Sequence, residues 1–247
     1  MTQKRVMELD YSGRDAADAK VFDTTKAEVA KAAGVFDDRT LYRPLILVEG
    51  GGELLPALEK TLSQMKAGEK KTIRLEPAEA FGQRNPDLVR VVPIKQFQAR
   101  QIQPVPGLDV MIDQYRGRVQ SVSGGRVRVD FNHPLAGKTA EFELEMKAVF
   151  ETEKDKIQAI FRKFFVSEGE NAPQVSIGVD ASEVVLPGLG DGRVQQLKQS
   201  FANAVFNATE KTKKVRFIEN VDKKEEKDTK NGKAIAAPGV STQKKQS

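Results

Sequence analysis

Three consecutive glycines, Gly50 to Gly52, stand between an apolar run and a helix-like segment in LVEGGGELLPALEKTL, residues 47–62. Such a stretch can let a backbone cradle a phosphate. A mononucleotide loop would also need a later glycine followed by Lys and Ser or Thr, and a dinucleotide turn would need a glycine where Leu55 stands. The positions after Gly52 are instead Glu53, Leu54, Leu55 and Pro56, and Glu53 would repel an anion. Metal and nucleophile chemistry are equally short of parts. His133, in FNHPLAG, is the only histidine and there is no cysteine, so a metal site would lack a second nitrogen or any thiolate. One histidine could serve a serine, yet no Gly-x-Ser-x-Gly elbow is present. A turn role is the simpler reading of His133. Glu76 and Glu79 read as solvated charges near a strand end. What is left is a set of apolar and aromatic residues in DYSG, KVFD, ELLPAL, AFG and FELE, each of which, taken singly, reads as core.

The elements that must position these residues are legible from periodicity. RVMELDYSGRD alternates and ends in Ser-Gly, as a strand entering a turn does, and AKVFDTT is its return strand. TTKAEVAKAAG predicts a short helix capped by Asp or Thr at 23–25 and stopped at Gly34. RPLILVE is a buried strand. In ELLPALEKTLSQMKAG, Leu55, Leu58, Leu62 and Met65 recur at helical spacing, Pro56 sits in the first turn where a missing N–H is harmless, and Gly68 closes the helix. EKKTIRLEP follows as a strand. From Arg84 the texture changes to short strands, LVRVVP, LDVMIDQ, RVQSVSGG and RVRVDFN, which predict a small all-β unit at about residues 85–131. AEFELEMKAVF then places Phe142, Leu144 and Met146 on one strand face.

After Phe150 the spacing of Ile157, Ile160, Phe161 and Phe164 is helical, strand-like PQVSIGV and EVVLP follow, and a second helix carries Val194, Leu197, Phe201 and Val205 before the strand KKVRFIE. Residues 152–220 are therefore expected to form a separate small α+β domain. Its appendage-like position suggests a homodimer contact. Residues 221–247 are polar, mixed in charge and free of aromatics, a composition that predicts disorder.

Composition excludes several classes. No stretch approaches the roughly 18–20 apolar residues needed to cross a bilayer, and MTQKRVMELD lacks the apolar centre of a signal peptide. With no cysteine to oxidise, a cytoplasmic protein is expected, without a membrane partner. The net charge is +5, but residues 221–247 carry seven Lys against four acidic residues and so supply +3 of it. The nearly balanced remainder argues against a specific nucleic-acid partner, which would call for basic residues gathered on one folded face.

Taken in order, DYSG, KVFD, GGELLPALEKTLSQMKAGEKKTIRLEPAEAFG, NPDLVRVVP and NHPLAGKTAEFELEM resemble the FKBP family of peptidyl-prolyl cis-trans isomerases, and more closely its SlyD type and long archaeal relatives. The resemblance spans about residues 3–150. It implies a bent antiparallel sheet wrapped around a short helix, built from residues 1–84 and 132–150, with residues 85–131 as an inserted flap domain that binds unfolded chains. Carried over by position, it places Tyr11, Phe22, Asp23, Leu45, Leu54, Leu55, Leu58, Phe81 and Phe142 in a pocket for a proline ring. Tyr11, Asp23, Leu55 and Phe142 are expected to act on the twisting bond, the others to bind the substrate. It implies no cofactor and no metal, and as partners unfolded or partly folded proteins and proline-containing peptides. A holdase that binds chains with only incidental isomerisation is the alternative. Leu58 stands where the family often has Trp, and Phe81 where a Tyr is common. The SlyD type often ends in a His- and Cys-rich tail, whereas this tail is Lys-rich.

Overall fold

The computed structural model describes residues 4–165, 176–177, 183–187 and 192–218. Along the chain, β1 (Val6–Asp15), β2 (Val21–Thr24), α1 (Ala27–Ala32), β3 (Leu45–Val48), α2 (Pro56–Leu62) and β4 (Lys70–Leu75) come first. The insert follows as β5 (Val89–Pro93), α3 (Ile94–Ala99), β6 (Asp109–Ile112), β7 (Tyr115–Ser123) and β8 (Arg126–Asp130). The chain returns through β9 (Ala140–Phe150) and continues as α4 (Glu153–Phe164), β10 (Ser176–Ile177), β11 (Glu183–Pro187), α5 (Gly192–Ala208) and β12 (Lys214–Ile218).

The main sheet is antiparallel in the order β2-β1-β9-β4, with β3 also paired to β1. Side chains alternate across a strand, so the two faces of β1 and β3 serve two cores. Met7, Leu9, Leu45 and Leu47 turn to the face covered by α2, where they meet Leu58, Leu62, Phe142, Leu144 and Met146. Val6, Ile46 and Val48 turn to the opposite face and pack with Ile157, Ile160 and Phe161 of α4 and with Phe201 and Val205 of α5. That is why RPLILVE is continuously apolar: both of its faces are covered. The C-terminal helices thus share a core with the sheet.

Three local readings of the sequence differ from the structure. β1 runs straight through Ser12–Gly13 to Asp15 and only shifts register there, so the Ser-Gly pair is a strand irregularity instead of a turn. The cap of α1 is Lys26, without a side-chain cap bond, because Thr24 Oγ1 accepts from the Lys26 N–H at 3.2 Å and Thr25 Oγ1 is occupied by Asp10 at 2.7 Å. Helix α2 ends at Leu62, well before Gly68. The reason is Arg5, whose guanidinium donates to the carbonyls of Leu62 (3.3 Å), Ser63 and Met65 (2.7 Å) and satisfies the helix end that a further turn would otherwise have satisfied.

The insert forms its own antiparallel sheet, β5-β8-β7-β6. It also contains α3, which the strand alternation did not reveal. Six residues are too few to show a helical period, yet they bury Phe97 against Val92, Val110, Val119, Val127 and Val129. β10 pairs antiparallel with β11, and β11 pairs parallel with β12. The expectation for residues 221–247 lies outside the described residues. Among those that are described, no helix is long and apolar enough to cross a membrane.

Acid should loosen this sheet at one identifiable place. Glu145 of β9 accepts from Lys26 Nζ at 3.1 Å and Lys147 Nζ at 3.2 Å, and these bonds push its carboxyl down to about 2. An unfolded Glu titrates at about 4.3, so the native state gains stability above that value and loses it as the pH falls toward 2. Glu145→Gln is therefore expected to melt below wild type at pH 7 and together with it near pH 2. Melting curves separated equally at both pH values would count against the pairing.

Candidate active site

The face of the sheet under α2 carries a cluster of aromatic rings. Phe142 projects from β9, and Phe22 from β2 meets it edge-on with centroids 5.7 Å apart. Phe81, in the turn after β4, meets Phe22 edge-on at 5.5 Å. Such T-shaped pairs fix ring positions beyond what burial alone does. Leu58 and Phe142 are buried in this core, and Tyr11, Leu45, Leu54, Leu55, Phe22 and Phe81 pack half-buried against it. Asp23 is exposed at the edge and joins the group through Tyr11, whose hydroxyl donates to its Oδ2 at 2.6 Å. Eight of the nine residues named from the resemblance thus belong to or pack against one core cluster, and Asp23 joins it through Tyr11.

Local sequence explains the arrangement. The register sets Gly13 of β1 opposite Asp23 on one side and Phe142 on the other. A Cβ at Gly13 would lie 2.6 Å from Phe22 Cε2 and 2.9 Å from Phe142 Cε1, so glycine is what lets the two rings lie down on the strand. Pro56 occupies the first turn of α2, and Leu55 immediately before it keeps an extended backbone with φ −56° and ψ 138°. Its carbonyl accepts from the N–H groups of Leu58 and Glu59, while its own N–H donates to no protein acceptor among the described residues. Burial, the hydrogen bond to Asp23 and that carboxylate's charge push the Tyr11 phenol above its ordinary value, so it stays a hydrogen-bond donor.

Two contributors escaped the sequence reading. Gly13 follows Ser12 in a pair that reads as a turn, although a glycine inside an alternating strand is itself a sign of close approach. His133 does hold a turn, its Nδ1 accepting from the Leu135 N–H at 3.2 Å. Its ring also stacks on Phe81, 4.9 Å away and 2° from parallel, and so backs the site's third aromatic wall. No cluster of three or more metal-ligating side chains occurs among the described residues.

Comparison with known proteins bears on this geometry. The chain is 30% identical over 138 residues to a short-type peptidyl-prolyl cis-trans isomerase of Methanocaldococcus jannaschii, a match covering 56% of this chain and 88% of that protein. It is 40% identical over 108 residues to a probable FKBP-type 16 kDa peptidyl-prolyl cis-trans isomerase of Pseudomonas fluorescens, covering 42% of this chain and 71% of the relative. The chain belongs to the FKBP-type peptidyl-prolyl cis-trans isomerases. Residues 90–135 match the family model described as FKBP26, IF domain, so the flap of this FKBP is a recognised inserted domain. Its likeness to the SlyD isomerase of Vibrio cholerae, 35% identity over 127 residues, covers 50% of this chain and 63% of the relative.

Proposed function

We propose that this FKBP accelerates cis-trans isomerisation of X-Pro bonds in unfolded and partly folded proteins, and that its flap holds the chain meanwhile. The observation that carries the reading is the trio Phe22, Phe81 and Phe142 over Leu58, set beside one hydrogen-bonded phenol–carboxylate pair. Peptide-bond rotation needs no proton donor or nucleophile. Its barrier of about 18–20 kcal/mol is lost resonance, and X-Pro bonds left alone take tens to hundreds of seconds. A twisted amide is less polar than a planar one, so an apolar, water-poor pocket binds it better than the ground state. A preference of roughly 5 kcal/mol would be worth about four decades in rate.

In this reading the free N–H of Leu55 anchors a substrate carbonyl, Phe22, Leu54, Leu58 and Phe142 contact the proline ring, and Asp23 with Tyr11 orients the rotating carbonyl. Leu45 and Phe81 complete the walls. Chain binding by the flap is supported by a groove of about 460 Å³ between α3 and the sheet, lined by Leu88, Val91, Ile112, Tyr115 and Phe131. Val91 and Tyr115 are 62% and 69% exposed, which is more apolar surface than a finished core leaves open. The same groove is what would favour the holdase reading. Refolding of a protein limited by a proline bond, followed with catalytic amounts of the full chain, decides between them. Acceleration that saturates with client supports the isomerase; suppressed aggregation with an unchanged slow phase would leave only the holdase.

A further inference from the structure

The segment between β2 and β3 and the C-terminal helix α4 meet at the rim of this site. Residues 35–44 fold back on themselves through the stacked rings of Phe36 and Tyr42, 5.0 Å apart, and Arg43 Nη2 donates to the Lys163 carbonyl at 3.0 Å. The Lys163 ammonium reaches Glu53 and donates to both of its carboxylate oxygens. Between these groups a cleft of about 340 Å³, walled by Tyr11, Asp23, Arg43, Leu45 and Lys163, opens beside the aromatic site.

Glu53 stands immediately before Leu54 and Leu55. On its other side Gly50 and Gly52 have positive φ values of 68° and 69°, a connection that offers little stiffness of its own. Lys163 is Glu53's ion-pair partner among the described residues, and the lysine side chain is only 17% exposed, so water competes weakly for that bond. A helix docked on the far face of the sheet therefore ties down a glycine-rich connection on the near rim.

We propose that Lys163 is a positioning residue for the isomerase site, fixing the Leu54–Leu55 turn through Glu53, and that the C-terminal helix thereby takes part in substrate binding. The inference rests on the isomerase reading of that turn. A backbone anchor touches the substrate in its planar and twisted states alike, so loosening it raises KM and spares kcat.

The experiment is saturation kinetics on an X-Pro peptide with the full chain, alongside melting curves. Lys163→Gln and Glu53→Gln should each raise KM by about tenfold with kcat within about twofold. The double variant should be no worse than either single, because both remove one interaction. The swap Lys163→Glu with Glu53→Lys should bring KM back toward wild type. Unchanged KM in both single variants, additive effects in the double, or a fall in kcat that tracks a lower melting temperature would each overturn the proposal. If the wild-type chain does not isomerise peptides at all, the isomerase reading fails instead. The clamp is then judged by cleavage after Glu53 with a glutamate-specific protease, which should be faster in Lys163→Gln and would refute the clamp if it were not.

Discussion

Phe142→Leu combined with Asp23→Ala is expected to give a folded protein whose kcat/KM on X-Pro peptides is lower by about two decades, from losses on the order of 3 kcal/mol. The choice of Leu matters. Phe142 is 3% exposed in the core under α2, and truncation to Ala would cost about 3–5 kcal/mol out of a typical total of 5–15. Lost activity could then be lost fold. Leu keeps most of the volume at a cost of about 1 kcal/mol and removes the ring edge that Phe22 meets at 5.7 Å, a contact worth roughly 0.5–1.5 kcal/mol. Removing Asp23 takes the acceptor from the half-buried Tyr11 hydroxyl, worth about 1–3 kcal/mol if no replacement is found. Neither change touches the flap. Wild-type turnover in a double variant that melts normally would show that this cluster is core and nothing more.

How far the sequence revealed this site depends on the kind of signal each part leaves. The strands that build it announce themselves by alternation, and β9 alone sets Phe142, Leu144 and Met146 on one face. Ring contacts between β2, β9 and the turn after β4 join residues up to 120 positions apart, as Phe22 and Phe142 are, and no local period can report them. Ordered motifs resembling a family supplied them instead. Gly13 and His133 were missed as site residues because their signals are ambiguous: a glycine and a His-Pro pair read first as turns. Arg5 was missed because its effect falls on a helix end 57 to 60 residues away. The contact between α4 and the sheet is of the same kind. An amphipathic helix declares that it has an apolar face but not what covers it, and here Val6, Ile46 and Val48 do.

Removing the flap should separate isomerisation from the proposed chain holding. The neck makes a clean deletion feasible: the Asn85 N–H donates to Asn132 Oδ1 at 2.8 Å and Asn132 Nδ2 donates to the Asn85 carbonyl at 2.9 Å, so entry and exit lie side by side. The flap also has its own core around Phe97, Val119, Val127 and Val129, distinct from the core beneath α2. A short Gly-Ser link from Asn85 to Asn132 therefore exposes little of the remaining sheet. A tetrapeptide is too small to engage both surfaces, and its turnover should change by no more than about twofold. An unfolded protein held by the flap presents its prolines to the site at a raised effective concentration, a gain typically of 10²–10⁴ for linked sites, and proline-limited refolding should slow by at least about a hundredfold without it. Equal losses on both substrates would make the flap a support for the aromatic site. No loss on either would take the client chain away from the groove beside α3 and leave Val91 and Tyr115 without the role given them here.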